Sequence, residues 1–168
     1  MRLRQLTSLE PEAILALSDT ALTDALRPVG YYNVKAQRLQ ALCHWLVQTG
    51  GLQALMRQSS EILRQGLLSV HGVGPETADD ILLYACERPV FVIDAYTRRL
   101  FGRLGYIAGD EPYEQLRAGL EAALMPDVVV FKEYHALIVE HAKTVCRTKP
   151  TCICCILRNE CAFAATHA

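Results

Sequence analysis

Leu67-Leu68-Ser69-Val70-His71-Gly72-Val73-Gly74-Pro75-Glu76-Thr77-Ala78 lies between two helical patterns and turns the chain sharply from one into the other. Upstream, residues 60–68 read as a short helix. Downstream, Ala78, Ile81, Leu82 and Ala85 form an apolar stripe at helical spacing. Pro75 suits a first helical turn, where its missing N–H is not needed. The glycines permit positive φ and let another molecule approach the main chain closely. N–H groups freed at a helix start then face outward and suit a phosphate oxygen. Two readings stay open. In one, a hairpin between helices holds a nucleic-acid backbone through His71, Gly72, Val73, Gly74 and Thr77 without reading bases. In the other, a tight helix–helix turn merely requires small residues.

Working outward, the pattern is helical nearly everywhere. Ser8–Pro11 opens a short helix, and Ser18-Asp19 can cap the next, which ends near Arg27-Pro28 because a residue before proline is pushed from the helical region. Tyr32, Ala36, Leu39, Cys43 and Leu46 mark one long helix closed by Gly50-Gly51. Shorter helices are expected over 52–57 and 60–68. The run Pro89-Val90-Phe91-Val92-Ile93 has strand composition, but its short length between helices predicts a buried connector. Helices near 95–104, 112–124 and 129–145 follow, the last with Phe131, Tyr134, Ile138 and Val145 on one face. No internal repeat, low-complexity segment or linker interrupts them. The fold class is all-α.

A chain of 168 residues can bury one full core, and 51% apolar content belongs to a globular protein rather than a disordered one. Apolar runs are short and broken by charge, so no membrane span is expected. The segment Met1–Thr7 lacks the apolar core of a signal peptide. These features predict a cytoplasmic, monomeric protein, nucleoid-associated if it binds DNA in a prokaryote. A net charge of −1 argues against a generally basic nucleic-acid binder but allows a local basic face.

The continuation Val90-Phe91-Val92-Ile93-Asp94-Ala95-Tyr96-Thr97-Arg98-Arg99, taken with Val73–Ala78, resembles the endonuclease III superfamily of helix-hairpin-helix DNA glycosylases. Asp94 stands eighteen residues beyond Glu76, the separation that this family keeps between hairpin and catalytic aspartate. The resemblance therefore implies that Asp94 is the catalytic carboxylate. Physically, the helix start favours its ionised form and the apolar neighbours disfavour it. An ionised Asp94 could stabilise the positive sugar formed as a glycosidic bond breaks and help activate water. The plainer alternative is a helix-capping aspartate with no chemistry.

Family members that also nick DNA place a lysine at the position of Glu76, and that lysine forms a Schiff base. Glu76 cannot. The resemblance thus implies a monofunctional enzyme, closest to the branch related to 3-methyladenine DNA glycosylase, which acts on alkylated purines in double-stranded DNA. Glu76 would line the substrate pocket and favour a cationic base, or serve only as a helix-start carboxylate. A bifunctional glycosylase and abasic-site lyase is the first alternative. A non-catalytic, DNA-binding iron–sulfur remnant is the second.

Five of the seven cysteines crowd into residues 146–161, whereas Cys43 and Cys86 fall in helical patterns as buried thiols. Without a secretion signal such crowding points to metal rather than disulfides. Cys146, Cys152, Cys155 and Cys161 have the spacing C-x5-C-x2-C-x5-C, with Cys154 in excess. Four thiolates suit a [4Fe–4S] cluster or a structural zinc. The loop resembles the cluster loop of the same superfamily, although its first gap is one residue short. The resemblance implies a [4Fe–4S] cluster that ties down the C-terminus and presents Arg147, Lys149 and Arg158 to phosphates.

By the same resemblance the architecture is two helical lobes. Residues 10–108 would form a barrel lobe with the hairpin at about 60–88, and residues 109–168 an iron–sulfur lobe. Two N-terminal helices of the family, with a Leu-x-x-Gln-type segment, have no match in Met1–Leu9 and are expected to be missing.

Overall fold

The computed structural model describes residues 2–167, and among them every regular element is helical. The chain clusters as two compact units, Met1–Ala78 and Asp79–Ala168.

In the first unit, α1 (Leu3–Leu6), α2 (Pro11–Leu15), α3 (Asp19–Leu26), α4 (Tyr32–Gln48), α5 (Gly51–Leu55) and α6 (Ser60–Leu68) follow in order. Pro11 takes the first position of α2, and the Ser18 hydroxyl caps α3 by accepting from the Ala21 N–H at 3.2 Å. Pro28 ends α3 in a short 3₁₀ turn, Arg27–Val29. α2 and α3 pack on α4, burying Leu3, Ile14, Leu22, Ala25, Ala36 and Cys43 together. Gly66 of α6 is required by space, since a Cβ there would lie 2.8 Å from the Trp45 ring.

The helix after the hairpin, α7 (Pro75–Asp80), runs into the second unit and widens into a π-helical turn over Ile81–Ala85, closed by the Cys86 N–H on the Ile81 carbonyl. There follow α8 (Ala95–Leu104), α9 (Tyr113–Ala123), α10 (Val128–Thr144) and α11 (Ala162–His167). The Pro89–Ile93 run is extended but pairs with no strand. Its backbone donors instead find side chains of α9: the Phe91 N–H donates to Glu121 Oε1 at 2.9 Å and the Ile93 N–H to Tyr113 Oη at 3.4 Å. Side chains thus replace a sheet partner for a buried backbone.

Phe91, Val92 and Ile93 are buried with Leu83, Leu100, Phe131 and Ile138. This packing places the connector with the C-terminal unit, Asp79–Ala168. On α10 the buried stripe is Phe131, His135, Ile138 and Ala142, at steps of four, three and four. Tyr134 sits at its edge, about a third exposed, with its ring edge-on to Phe91. α1 and α11 were not foreseen, both being shorter than a reliable periodic signal.

Phe91 is the keystone of this core, fully buried and edge-to-face with Phe131 at 5.4 Å. Phe91→Ala is expected to lower stability by about 3–5 kcal/mol, read as a drop in the urea midpoint with an unchanged slope. A loss below about 1 kcal/mol would show that the connector is not held by this side chain.

Candidate active site and cysteine loop

Asp94 caps α8 and is nearly buried. Its Oδ1 accepts from the Thr97 N–H at 2.7 Å, and its Oδ2 lies 3.4 Å from His135 Nε2. Burial alone would push this carboxyl up. The adjoining His135 and the hydrogen bonds from Thr97 outweigh it, and the group sits below the ordinary carboxylate value. The capping role and an ionised, chemically useful carboxylate therefore coexist in one side chain. They use different oxygens.

Three further side chains share this region of the C-terminal unit. Tyr84, on the π turn, brings its hydroxyl to 2.8 Å from His135 Nδ1. Asp80, at the end of α7, interacts with both His135 and Asp94. Neither Tyr84, Asp80 nor His135 emerged as a candidate from sequence. The available signal was His135 itself, a titratable residue on the apolar stripe of α10. Asp79, beside Asp80, is fully buried and accepts from Tyr113 Oη at 2.8 Å, with Arg117 at 3.9 Å.

The hairpin residues stand in the N-terminal unit. His71, Gly74, Glu76 and Thr77 are exposed, and Gly72 and Val73 half-buried. Gly72 has φ +83°, and a Cβ on it would collide with the Arg38 side chain, so both arguments for glycine apply. Gly74 differs. Its φ is ordinary, and no atom of the chain lies within 4 Å of where its Cβ would be. Nothing inside the protein demands glycine there.

In the cysteine loop, Cys146, Cys152, Cys155 and Cys161 line one small apolar cavity together with Leu100, Arg103 and His141. Cys154 does not line it; exposed, it turns its thiol to the Thr151 carbonyl at 3.3 Å. Arg103 Nη1 donates to Cys146 Sγ at 3.3 Å and to the Arg147 carbonyl at 2.6 Å, while Nη2 reaches the Thr148 carbonyl at 3.0 Å. Arg99 donates to the Cys146 and Ala142 carbonyls at 2.9 and 2.8 Å. Arg147 and Lys149 are exposed on the loop.

Burial first, then the neighbouring Asp94 and Asp79 charges, push Asp80 above the ordinary carboxylate value, with His135 opposing. A raised folded value means a contribution present below the unfolded pKa and lost as pH rises through the folded one. Asp80→Asn is therefore expected to raise the urea midpoint at neutral pH, with the gain shrinking as pH falls into the carboxylate range. An unchanged or lowered midpoint at neutral pH would mean that Asp80 is no burden on the fold.

The chain is similar to known proteins over most of its length. The family described as HhH-GPD superfamily base excision DNA repair protein matches residues 1–126. A protein of Methanocaldococcus jannaschii that carries the provisional name DNA repair glycosylase is 44% identical over 156 residues, covering 91% of this chain and 71% of its own length. Endonuclease III of Sulfolobus acidocaldarius is 25% identical over 154 residues, covering 91% of this chain and 67% of that one. Among solved structures, a non-covalent endonuclease III–DNA complex superposes with a TM-score of 0.81 at 23% identity, over 98% of this chain and 73% of that one. The 3-methyladenine DNA glycosylase of H. pylori bound to 1,N6-ethenoadenine does so at 0.64 and 29% identity, over 79% and 66%. Among the described residues no helix is long and apolar enough to cross a membrane. With the hairpin, the buried aspartate and the helical fold all in place, this chain belongs to the HhH-GPD superfamily of base excision DNA repair proteins.

Proposed function

We propose that this chain, a DNA repair glycosylase of the HhH-GPD superfamily, hydrolyses the N-glycosidic bond of alkylated purines in double-stranded DNA without cutting the strand. Asp94 carries the reading. It is a nearly buried carboxylate, held below the ordinary carboxylate value, with one oxygen spent on a helix cap and the other turned to His135. A damaged nucleotide must first leave the stack, because the glycosidic bond is otherwise shielded. As the bond from C1′ to the base nitrogen breaks, its electron pair leaves with the base and the sugar becomes cationic. The Asp94 carboxylate stabilises that charge and orients a water, whose oxygen bonds to C1′ while its proton passes to the carboxylate and then to solvent.

Glu76 sets the class of reaction. A carboxylate has no amine for a Schiff base, so base removal ends at an intact abasic strand. An alkylated purine is already cationic and leaves as a neutral base, and the negative charge of Glu76 would favour such a base. The DNA backbone would rest on the hairpin at His71, Gly72, Val73, Gly74 and Thr77. The open space at Gly74 supports this, since its missing Cβ is explained by nothing within the chain. Arg147 and Lys149 would add phosphate contacts.

Cys146, Cys152, Cys155 and Cys161 would hold a [4Fe–4S] cluster: all four line one small cavity, although among the described residues no three or more Cys, His, Asp or Glu are grouped closely enough to hold a metal ion as they stand. The Arg103 N–H on Cys146 Sγ is the kind of hydrogen bond that a cluster ligand accepts. When bound, the cluster supplies a covalent tie for the C-terminal loop. Cys154 stays outside the ligand set.

Duplex DNA bearing methylated purines tests the activity. Strand breaks are expected only after hot alkali, and Asp94→Asn should abolish them while still folding, because an amide oxygen can keep the cap. Breaks without alkali, or a complex trapped by borohydride, would overturn the assignment from Glu76 and favour a bifunctional glycosylase and lyase. DNA that is bound yet yields no breaks by either treatment would favour a non-catalytic binder. For the loop, purified protein should carry iron and sulfide in equal amounts, lost in Cys146→Ser but kept in Cys154→Ser. The reverse pattern would move the ligand to Cys154, and zinc in place of iron would exclude the cluster.

A further inference from the structure

We propose that His135 is a positioning residue for Asp94, and that Tyr84 fixes the histidine tautomer which lets it act. This rests on the reading of Asp94 as the reacting carboxylate. The three side chains form a line, Tyr84 Oη to His135 Nδ1 at 2.8 Å and His135 Nε2 to Asp94 Oδ2 at 3.4 Å.

The direction of the protons follows from the distances. The Tyr84 hydroxyl has two acceptors within reach, His135 Nδ1 at 2.8 Å and the Lys132 carbonyl at 3.5 Å. It donates to the nearer. Nδ1 then carries no proton, so in the neutral ring the proton sits on Nε2. That N–H points at Asp94 Oδ2. The opposite tautomer would set a bare nitrogen lone pair against a carboxylate oxygen in a nearly dry site, an arrangement with no compensation.

His135 Nε2 is buried and, among the described residues, has no hydrogen-bond partner; Asp94 Oδ2 lies 3.4 Å away. The 3.4 Å contact is longer than a formed hydrogen bond. Such contacts in a ligand-free site tighten when the reacting charge develops. Meanwhile Oδ1 is locked to the Thr97 N–H, so the carboxylate can only pivot about that bond, and His135 decides where Oδ2 points. The π turn supports this arrangement, because it carries Tyr84 to the histidine.

The charged and titratable groups facing His135 are Asp94 at the start of α8, Tyr84 on the π turn and Asp80 at the end of α7. Lys132, one turn earlier on α10, is paired with Glu87 at 3.1 Å. Removing the imidazole removes a contact that helps hold Asp94 down, so the Asp94 carboxyl rises towards its ordinary value. Activity that needs this carboxylate ionised then loses its acid limb at higher pH.

Nitrogen NMR of the full chain labelled with ¹⁵N-histidine reads the tautomer directly. His135 is expected as the Nε2-protonated form at neutral pH, and Tyr84→Phe should mix the two tautomers. Tyr84 is 44% exposed, so that variant keeps its fold. An Nδ1-protonated ring, or a spectrum unchanged by Tyr84→Phe, overturns the proposal whether or not methylated DNA is a substrate. In single turnovers on methylated duplex DNA, His135→Ala should slow base release about tenfold to a hundredfold, as for other outer partners of a reacting group. Its acid limb should move to higher pH, and His135→Gln, whose amide can donate to Oδ2, should recover most of the loss. If Asp94→Asn is inactive while His135→Ala keeps the wild-type rate and acid limb, the positioning role fails and the glycosylase reading stands. If Asp94→Asn is itself active, the reading of Asp94 fails first.

Discussion

A carboxylate can stay charged inside a protein only if donors replace the water it has lost, and the second unit is arranged around one that does. Asp94 gains the Thr97 N–H by standing at the start of α8, and His135 by facing the buried stripe of α10. Both donors require the connector before Asp94 to run extended into the core, which sets where α8 begins. That course is possible because Glu121 and Tyr113 satisfy the connector's N–H groups. The position of one oxygen thus depends on α8, α9 and α10 together. This is why the apolar run Val90–Ile93 and the aspartate behind it form a single structural statement.

α8 also serves the loop at its other end. Arg99 and Arg103 spend their N–H groups on the Ala142, Cys146, Arg147 and Thr148 carbonyls, so the cysteine loop hangs from this helix. Arg98 does the same for Gly109 and Glu111. In the fold each of these guanidinium groups satisfies carbonyls that a chain leaving a helix would strand. The exposed basic groups of the loop are Arg147, Lys149 and Arg158. Counting arginines near a motif therefore says little about charge available to DNA until their hydrogen bonds are known.

The helices were legible where local physics decides them. Ser18 before α3, Gly50-Gly51 after α4 and Pro75 at α7 each act within a few residues, and the structure follows them. The Pro89–Ile93 run was harder, since its composition suits a strand. What keeps it from being a strand is that no extended partner pairs with it among the described residues, which composition within the run does not reveal. The cysteine spacing left five candidates for four positions, and only the turn Cys152–Cys154 shows which thiol faces out. Asp94 could be found because family resemblance and helix capping meet at one residue. His135 could not, because its partner lies on another helix and nothing in local spacing links the two. Contacts between distant segments are where a single sequence falls silent.

Three aspartates within this region show how the same group is given three characters by its neighbours. Asp79 is fully buried and satisfied by Tyr113 and Arg117, so it holds helices together. Asp80 is half-buried without comparable donors, and burial pushes it upward. Asp94 is nearly as hidden as Asp79 but is held down by the Thr97 hydrogen bonds and by His135 beside it. Burial alone therefore does not rank them; the number and aim of donors does. Of the three, Asp94 alone combines a depressed value with an oxygen not committed to a short, fixed hydrogen bond. A carboxylate that is ionised yet incompletely satisfied is the one able to meet a new positive charge, and that property, rather than depth, is what the proposed role of Asp94 requires.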